Sequence, residues 1–511
     1  MRAQVGKPKI SFKKEKLFKI KSHITETIRK LVLLPSHNFT HHMPIICVIV
    51  LIFISILYVK LSLFEKGYVT SDCAYYANML WNTGGEKLLF SEYVKERFGG
   101  ISYLNDHFSP TLVLLAIAYR FLPNPKMLLV IQTLVPLITC FILYACVSNE
   151  HEKGIPIYYW IVIWGYLFNP FHITATIDSV YGFHHDSLIP LFASLVYFAI
   201  IKKRFYLFIC SLALLAGLKE DIPILLLFGS SIVYLKYKIK KVDCNLEYYK
   251  KYFLSTVIVS FGFIIIGLFL FPYFTRGVYG TVASGIIFRL RLSKIVQFDR
   301  SWLELLFFLG GLFAVEIWIL ILPVLVLLSQ KSIGPGDWHS FLPLIIMCIA
   351  AMEGYKRSKF SSENKFLHIR QVVILVTMFL LCFWSEQGIR ALRFAVKDAA
   401  IRPYLGNYER LRELDGHIPQ HAYVTTTNDL RVRYTNRAHL TWTARKAEYV
   451  VINTNLMQRS LKRYGYDTDY GLIDYVQNSD KFIFVKSVGT FKLYRRNIRG
   501  YVFPDKGVQA P

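Results

Sequence analysis

Residues 43–64, 127–146 and 252–271 are each apolar over roughly the 20 residues a helix needs to cross a bilayer. No other feature constrains the chain as much. In hydrocarbon every backbone N–H and C=O must be satisfied within the protein, so such runs must form α-helices. Composition agrees, with 54% of the 511 residues hydrophobic and 18% charged, against about a quarter charged in a soluble domain. The expected class is an α-helical polytopic membrane protein.

The net charge of +26 is placed in a way that argues against nucleic-acid binding. Ten Lys and Arg fall in the first thirty residues, and further basic runs lie at 202–204, 236–251 and 356–370. Each abuts the end of an apolar segment, as cytoplasmic loops do under the positive-inside rule. The expected partner of this charge is the anionic headgroup layer of a lipid bilayer. The first apolar run lacks a small-x-small end and reads as a retained signal anchor. Six of the eight cysteines lie inside apolar runs and none falls after 388, so no disulfide framework or CxxC metal site is expected.

With the N-terminus in the cytoplasm, spans are expected at 44–64, 126–147, 155–171, 187–201, 205–218, 222–236 and 252–274. Two short helices follow in 302–330, where Glu316 interrupts the run, and two more spans at 341–354 and 367–387. The total is about eleven. Three regions result: a basic cytoplasmic segment 1–42, a helical membrane domain 43–387 and a soluble extracytoplasmic α/β domain 388–511. Within the long first external loop, 65–125, the apolar stretch 108–122 is bounded by prolines and reads as an interfacial or re-entrant helix. In the tail, 407–414 reads as helix, and 422–427, 448–454, 482–488 and 491–495 read as strands.

Acids and imidazoles gather on the other side from the basic runs: Asp72, Asn105-Asp106-His107, Asp178 with His184-His185-Asp186, Lys219-Glu220-Asp221 and Asp337-Trp338-His339. Charge near hydrocarbon costs a few kcal/mol, so a polar site at the outer rim of the bundle is expected.

In their order, Asp72, Trp81-Asn82, His107-Phe108-Ser109-Pro110, Gln132, Phe183-His184-His185-Asp186, Lys219-Glu220-Asp221 and His339 resemble a family of predicted multispanning membrane proteins, domain of unknown function 2079. Two departures stand out: His185 where the family often has proline, and Ser340 after His339 where tyrosine is common. That family is in turn similar to the C-type (GT-C fold) glycosyltransferases. The resemblance implies a GT-C-like bundle in a bacterial cytoplasmic membrane. It also implies transfer of a sugar from a polyprenyl-phosphate donor at the outer face, with Asp72 as the general base.

Sugar transfer needs a base for the acceptor hydroxyl and positive charge for the departing phosphate. Asp72, Asp106 and Glu220 are the candidate catalytic carboxylates. His107, His184, Asp186, Lys219, Asp221, Arg276 and His339 are candidate substrate contacts, with Arg289 and Arg291 alongside Arg276 for phosphate. A divalent cation has weak candidate ligands in Asp106, Asp178 and His184. Structural readings stand beside these. Asp72 also suits a cap for a helix starting at Cys73, and Ser109 a cap ahead of Pro110. Adjacent residues on a helix diverge, so at most two of His184, His185 and Asp186 are expected at one ion. A transporter or flippase of a polar or lipid-linked substrate and a non-catalytic envelope scaffold are the alternative functions.

Overall fold

The computed structural model describes residues 39–267, 341–353 and 386–497, apart from 70, 85–86, 93–94, 97–101, 106, 149–156, 178–181, 240–245, 343, 347, 350–351, 387 and 458–466. The expected helices in 302–330, the span at 367–387 and Asp106, Asp178, Arg276, Arg289, Arg291, Glu316 and His339 lie outside the described residues.

The described chain is mostly helical. The first helix, α1 (Phe39–Glu65), leads to α2 (Ser71–Trp81), an irregular outer segment and the short α3 (Leu112–Phe121). Six further helices form the bundle: α4 (Lys126–Ser148), α5 (Ile157–Leu167), α6 (Pro170–Ile177), α7 (Ile189–Ile201), α8 (Phe205–Ala216) and α9 (Ile222–Ile239). The last before the undescribed stretch is α10 (Leu246–Ile265). Among the described residues two helices are long and apolar enough to cross a membrane, Ile46–Glu65 and Lys126–Val147. Helix α8 has 12 residues, about 18 Å at 1.5 Å per residue, short of a 30 Å hydrocarbon core. The span expected at 155–171 is broken, since α5 ends at Leu167 and Pro170 opens α6. Proline is favoured at a first helical turn, where its missing N–H has no intrahelical partner to lose.

One connection aligns the site. Two residues after α7 comes Lys203, whose φ of 54° is left-handed. The Arg204 N–H donates to Ala199 O (2.8 Å) and the Lys203 N–H to Ile200 O (3.1 Å), which is the Schellman pattern. The chain reverses there, so α8 runs antiparallel to α7. The start of α7 and the end of α8 therefore share one end of the bundle, opposite the Lys202-Lys203-Arg204 turn.

The expected strands appear as β1 (Val424–Thr426), β2 (Tyr449–Asn453), β3 (Phe482–Val488) and β4 (Phe491–Arg496), in the order β1-β2-β4-β3. β1 and β2 are parallel and the other pairs antiparallel. Gly489, at φ 58°, supplies the left-handed residue of the two-residue hairpin. A helix the sequence reading lacks, α11 (Asp467–Asn478), packs Ile473 and Val476 toward this unit. One apolar core runs continuously from the end of α1 through α2 and Phe183 to Val450, Ile452 and Tyr494, joining sheet to bundle.

Candidate functional site

Four separate segments meet at the bundle end that carries the start of α7 and the end of α8. The first is α2. Asp72 lies half-buried in its first turn, where the helix dipole favours a carboxylate. The helix begins at Ser71, so Asp72 lies inside the first turn rather than capping from outside it. Tyr76 follows four residues later, on the same face, about 6 Å along the axis.

The second segment, 103–111, is tied to the end of α8. The last carbonyls of a helix lack intrahelical donors. Here the Thr111 N–H donates to Gly217 O (2.9 Å), Thr111 Oγ1 to Leu214 O (2.8 Å) and Ser109 Oγ to Leu218 O (2.7 Å). Ser109 thus does not cap α3, as the sequence suggested. It seals the far end of α8 and sets His107 beside Glu220.

The third segment is the His184-His185-Asp186 run. His184 is extended (φ −137°, ψ 136°) and the chain then turns as a 3-10 helix over His185–Leu188. Because the run is not α-helical, its side chains converge instead of diverging. Ligand-type atoms of all three residues lie within 4.8 Å of one another. Gly182 (φ 71°) lets this loop pass close to α2, since a Cβ there would stand 2.6 Å from Val69 Cγ1 and 2.9 Å from Cys73 Cβ.

The fourth segment is the turn Lys219-Glu220-Asp221. Lys219 Nζ donates to Asp186 Oδ2 at 2.9 Å. Glu220 Oε1 lies 3.1 Å from His107 Nδ1, and Glu220 Oε2 accepts from the Phe108 N–H at 3.3 Å.

These contacts form a chain of fixed polarity. Asp186 Oδ1 lies 3.1 Å from His185 Nε2, and the His185 side chain is fully buried. Ser109 Oγ gives its own proton to Leu218 O and so accepts from Nε2 at 3.4 Å; Nε2 therefore carries the ring proton and Nδ1 accepts from the Tyr76 hydroxyl at 2.7 Å. The Tyr76 oxygen lies 3.0 Å from that of Tyr103. Burial pushes the His185 pKa down to about 4, against the opposing pull of Asp186, so the ring is neutral near pH 7. Burial opposes the charge on Lys219 too, but Asp186, Asp221 and Glu220 together raise its pKa. Burial alone would raise Glu220, yet His107 and Lys219 outweigh it and hold the carboxyl at about 2.

The cluster His184, His185 and Asp186 has the right atoms for a cation, but the donor set does not favour one. His185 uses its two nitrogens on Tyr76 and Ser109, His184 Nδ1 accepts from the Asp186 N–H (3.3 Å), and Lys219 already neutralises Asp186. Among the sequence candidates, His107, His184, Asp186, Lys219 and Glu220 come together here. Asp221 closes the same turn, with its carbonyl accepting from the Leu225 N–H. Tyr76, Tyr103, Ser109 and His185 belong to the network as well. For Tyr76 the available signal was its place one turn after Asp72.

The sheet unit covers this end. Asn78 of α2 donates to Thr435 O (2.7 Å) and Arg437 O (2.8 Å), and the Trp442 ring meets Tyr75 edge-on at 6.3 Å. Glu92 and His439 pair at 3.1 Å.

A family model described as "Predicted membrane protein (DUF2079)" matches residues 62–466. No curated protein matches the chain. The structure is similar to a crystal structure of ArnT from Cupriavidus metallidurans bound to undecaprenyl phosphate, with a TM-score of 0.44 and 9% identity. That alignment covers 88% of this chain and 97% of the other.

Proposed function

The chain belongs to the DUF2079 family of predicted membrane proteins, and from that premise we propose that it is a membrane glycosyltransferase of GT-C type. It moves a sugar from a polyprenyl-phosphate carrier to an acceptor at the extracytoplasmic face. The observation that carries this reading is the convergence of His107, His184-His185-Asp186, Lys219 and Glu220 at the bundle end opposite the basic 202–204 turn. A buried array of this kind at the end of apolar helices suits a substrate whose headgroup is polar and whose tail is lipid.

Each group has a role in such a transfer. Asp72 takes the proton of the acceptor hydroxyl as its oxygen attacks the sugar C1 and the C1–O bond to phosphate breaks. Lys219, steadied by Asp186, puts a cation beside the departing phosphate. Glu220 stays ionised and fixes the His107 ring, whose side chain is 37% exposed, so that it can hydrogen-bond the phosphate or sugar. The neutral His185 with Tyr76 and Tyr103 holds this floor rigid.

The test is release of polyprenyl phosphate from polyprenyl-phosphate hexoses and pentoses by the purified protein in lipid vesicles. Removing a general base typically costs about 10²–10⁴-fold in rate, so Asp72→Asn is expected to lose at least about a hundredfold with membrane insertion unchanged. Full activity in that variant removes Asp72 from its role. A wild-type protein that turns over none of these donors removes the proposed reaction.

A further inference from the structure

Below this site, inside the bundle, five buried polar side-chain atoms have no hydrogen-bond partner among the described residues. They are Gln132 Oε1, Thr139 Oγ1, Tyr166 OH, His172 Nε2 and Thr176 Oγ1. Their residues are all at least nine-tenths buried, and the sugar-transfer reading uses none of them.

They occupy one region. Gln132 and Thr139 lie two turns apart on one face of α4, and His172 and Thr176 lie one turn apart on α6. Gln132 Nε2 reaches across to Ala175 O at 3.5 Å, which joins the two faces. The Tyr166 ring, on α5, lies against the His172 ring with centroids 4.9 Å apart. Thr139 stands beside the Tyr166 hydroxyl without forming a hydrogen bond of good geometry. Pro136 adds a sixth polar atom. It sits inside α4 and has no N–H, so the Gln132 carbonyl four residues back loses its helical donor.

The chemistry of the set narrows its ligand. His172 Nδ1 lies 3.4 Å from Leu167 O, which can only accept. The proton is therefore on Nδ1, and Nε2 presents a lone pair. Gln132 Oε1 and the Gln132 carbonyl are acceptors too, while the three hydroxyls can donate or accept. The set carries no carboxylate, which a divalent cation would want, and no cation for an anion. What satisfies three acceptors and three hydroxyls is a small neutral molecule that donates and accepts. Left dry, so many orphaned groups would cost as much as a large part of a domain's net stability.

We propose that α4, α5 and α6 enclose a hydrated pocket, a cluster of bound water molecules held by Gln132, Thr139, Tyr166, His172 and Thr176. The pocket lies under the outer site. Leu129, one turn above Gln132 on α4, is 3.6 Å from where a Cβ on Gly182 would stand, two residues before His184.

Radiolytic hydroxyl-radical footprinting of the wild-type protein in lipid reads bound water directly, because radicals form at the trapped molecules. Tyr166 is expected to be oxidised about tenfold more than Tyr159, which lies two turns earlier on α5, just as buried in the same apolar cluster, and whose hydroxyl is not one of the orphaned atoms. A second measurement separates wet from dry by sign. Thr139→Val removes a water ligand from a hydrated pocket and lowers Tm, whereas in a dry cavity it deletes an unsatisfied hydroxyl and raises Tm. Labelling of Tyr166 no greater than that of Tyr159, or a higher Tm in Thr139→Val, overturns the proposal. Both readouts are independent of any sugar donor.

Discussion

Burial holds the His185 pKa at about 4, below its ordinary 6.5, and this gives the molecule a pH dependence with a definite sign. Between those values the unfolded imidazole binds a proton that the folded one refuses. Stability from this residue is therefore complete above about pH 6.5 and is lost as pH falls toward 4. A shift of this size is worth up to about 3 kcal/mol. Glu220 acts in a lower window, because its carboxyl is depressed from 4.5 to about 2, and its contribution is lost as pH falls through that range. Tm measured from pH 7 to pH 4 should fall for the wild type and fall less steeply for His185→Gln. Equal slopes would mean that the ring is not held neutral. Residue chemistry was partly legible in the sequence: charge and imidazole against apolar runs drew notice to His107, His184, Asp186, Lys219 and Glu220. Tyr76 and Tyr103 were not legible. Tyrosines are common at the ends of apolar runs, and sequence alone does not say which of them faces inward.

Apolar runs located α4, α7 and α8 to within a few residues, because charge or proline flanks each run. They did not reveal which ends meet. The segment 107–111 and the turn 217–221 are joined because Ser109 and Thr111 seal the last carbonyls of α8, a pairing across about a hundred residues that no local pattern encodes. Nor did they reveal that His184-His185-Asp186 would fold as a 3-10 turn, which alone lets three consecutive side chains converge. The loop carrying that turn depends on Gly182. With φ at 71° and a prospective Cβ 2.6 Å from Val69 and 2.9 Å from Cys73 of α2, Gly182→Ala combines backbone strain of about 1–3 kcal/mol with a clash against the start of α2. Tm should drop and the site should lose activity. The control is Gly262→Ala in α10, where a Cβ meets nothing within 4 Å and helix propensity favours alanine by about 1 kcal/mol. Thermal melts showing the two substitutions to be alike would contradict the close passage of the loop over α2.

At the scale of the whole chain, bundle and sheet unit share a core, and their polar contacts are concentrated around α1 and α2. Lys66 Nζ donates to Ala399 O (2.6 Å) and Ala400 O (3.0 Å), and Arg433 donates to Phe64 O (2.8 Å). Tyr119 donates to Asn436 Oδ1 (3.2 Å). The strands themselves were legible from alternation and the Gly489 turn, but their seating on α2 was not. It rests on buried amide-to-carbonyl bonds, and asparagine at helix ends is too common to announce them. Asn78 is the most informative of these contacts, fully buried and donating to two carbonyls of the 432–437 segment. Asn78→Leu keeps the volume, leaves Thr435 O unsatisfied at about 1–3 kcal/mol, and leaves Arg437 O with only the long 3.5 Å bond from Asn82. That cost falls on the docked state alone, since the undocked Thr435 carbonyl finds water. The substitution should therefore loosen the sheet unit without unfolding the bundle. Hydrogen exchange should quicken across 424–453 while α4 and α7 stay protected. Because Tyr76 lies two residues earlier on the same helix, donor turnover should fall in step with that exchange. Unchanged protection of β1 and β2 would mean that the apolar core alone seats the unit, and that Asn78 serves some other end.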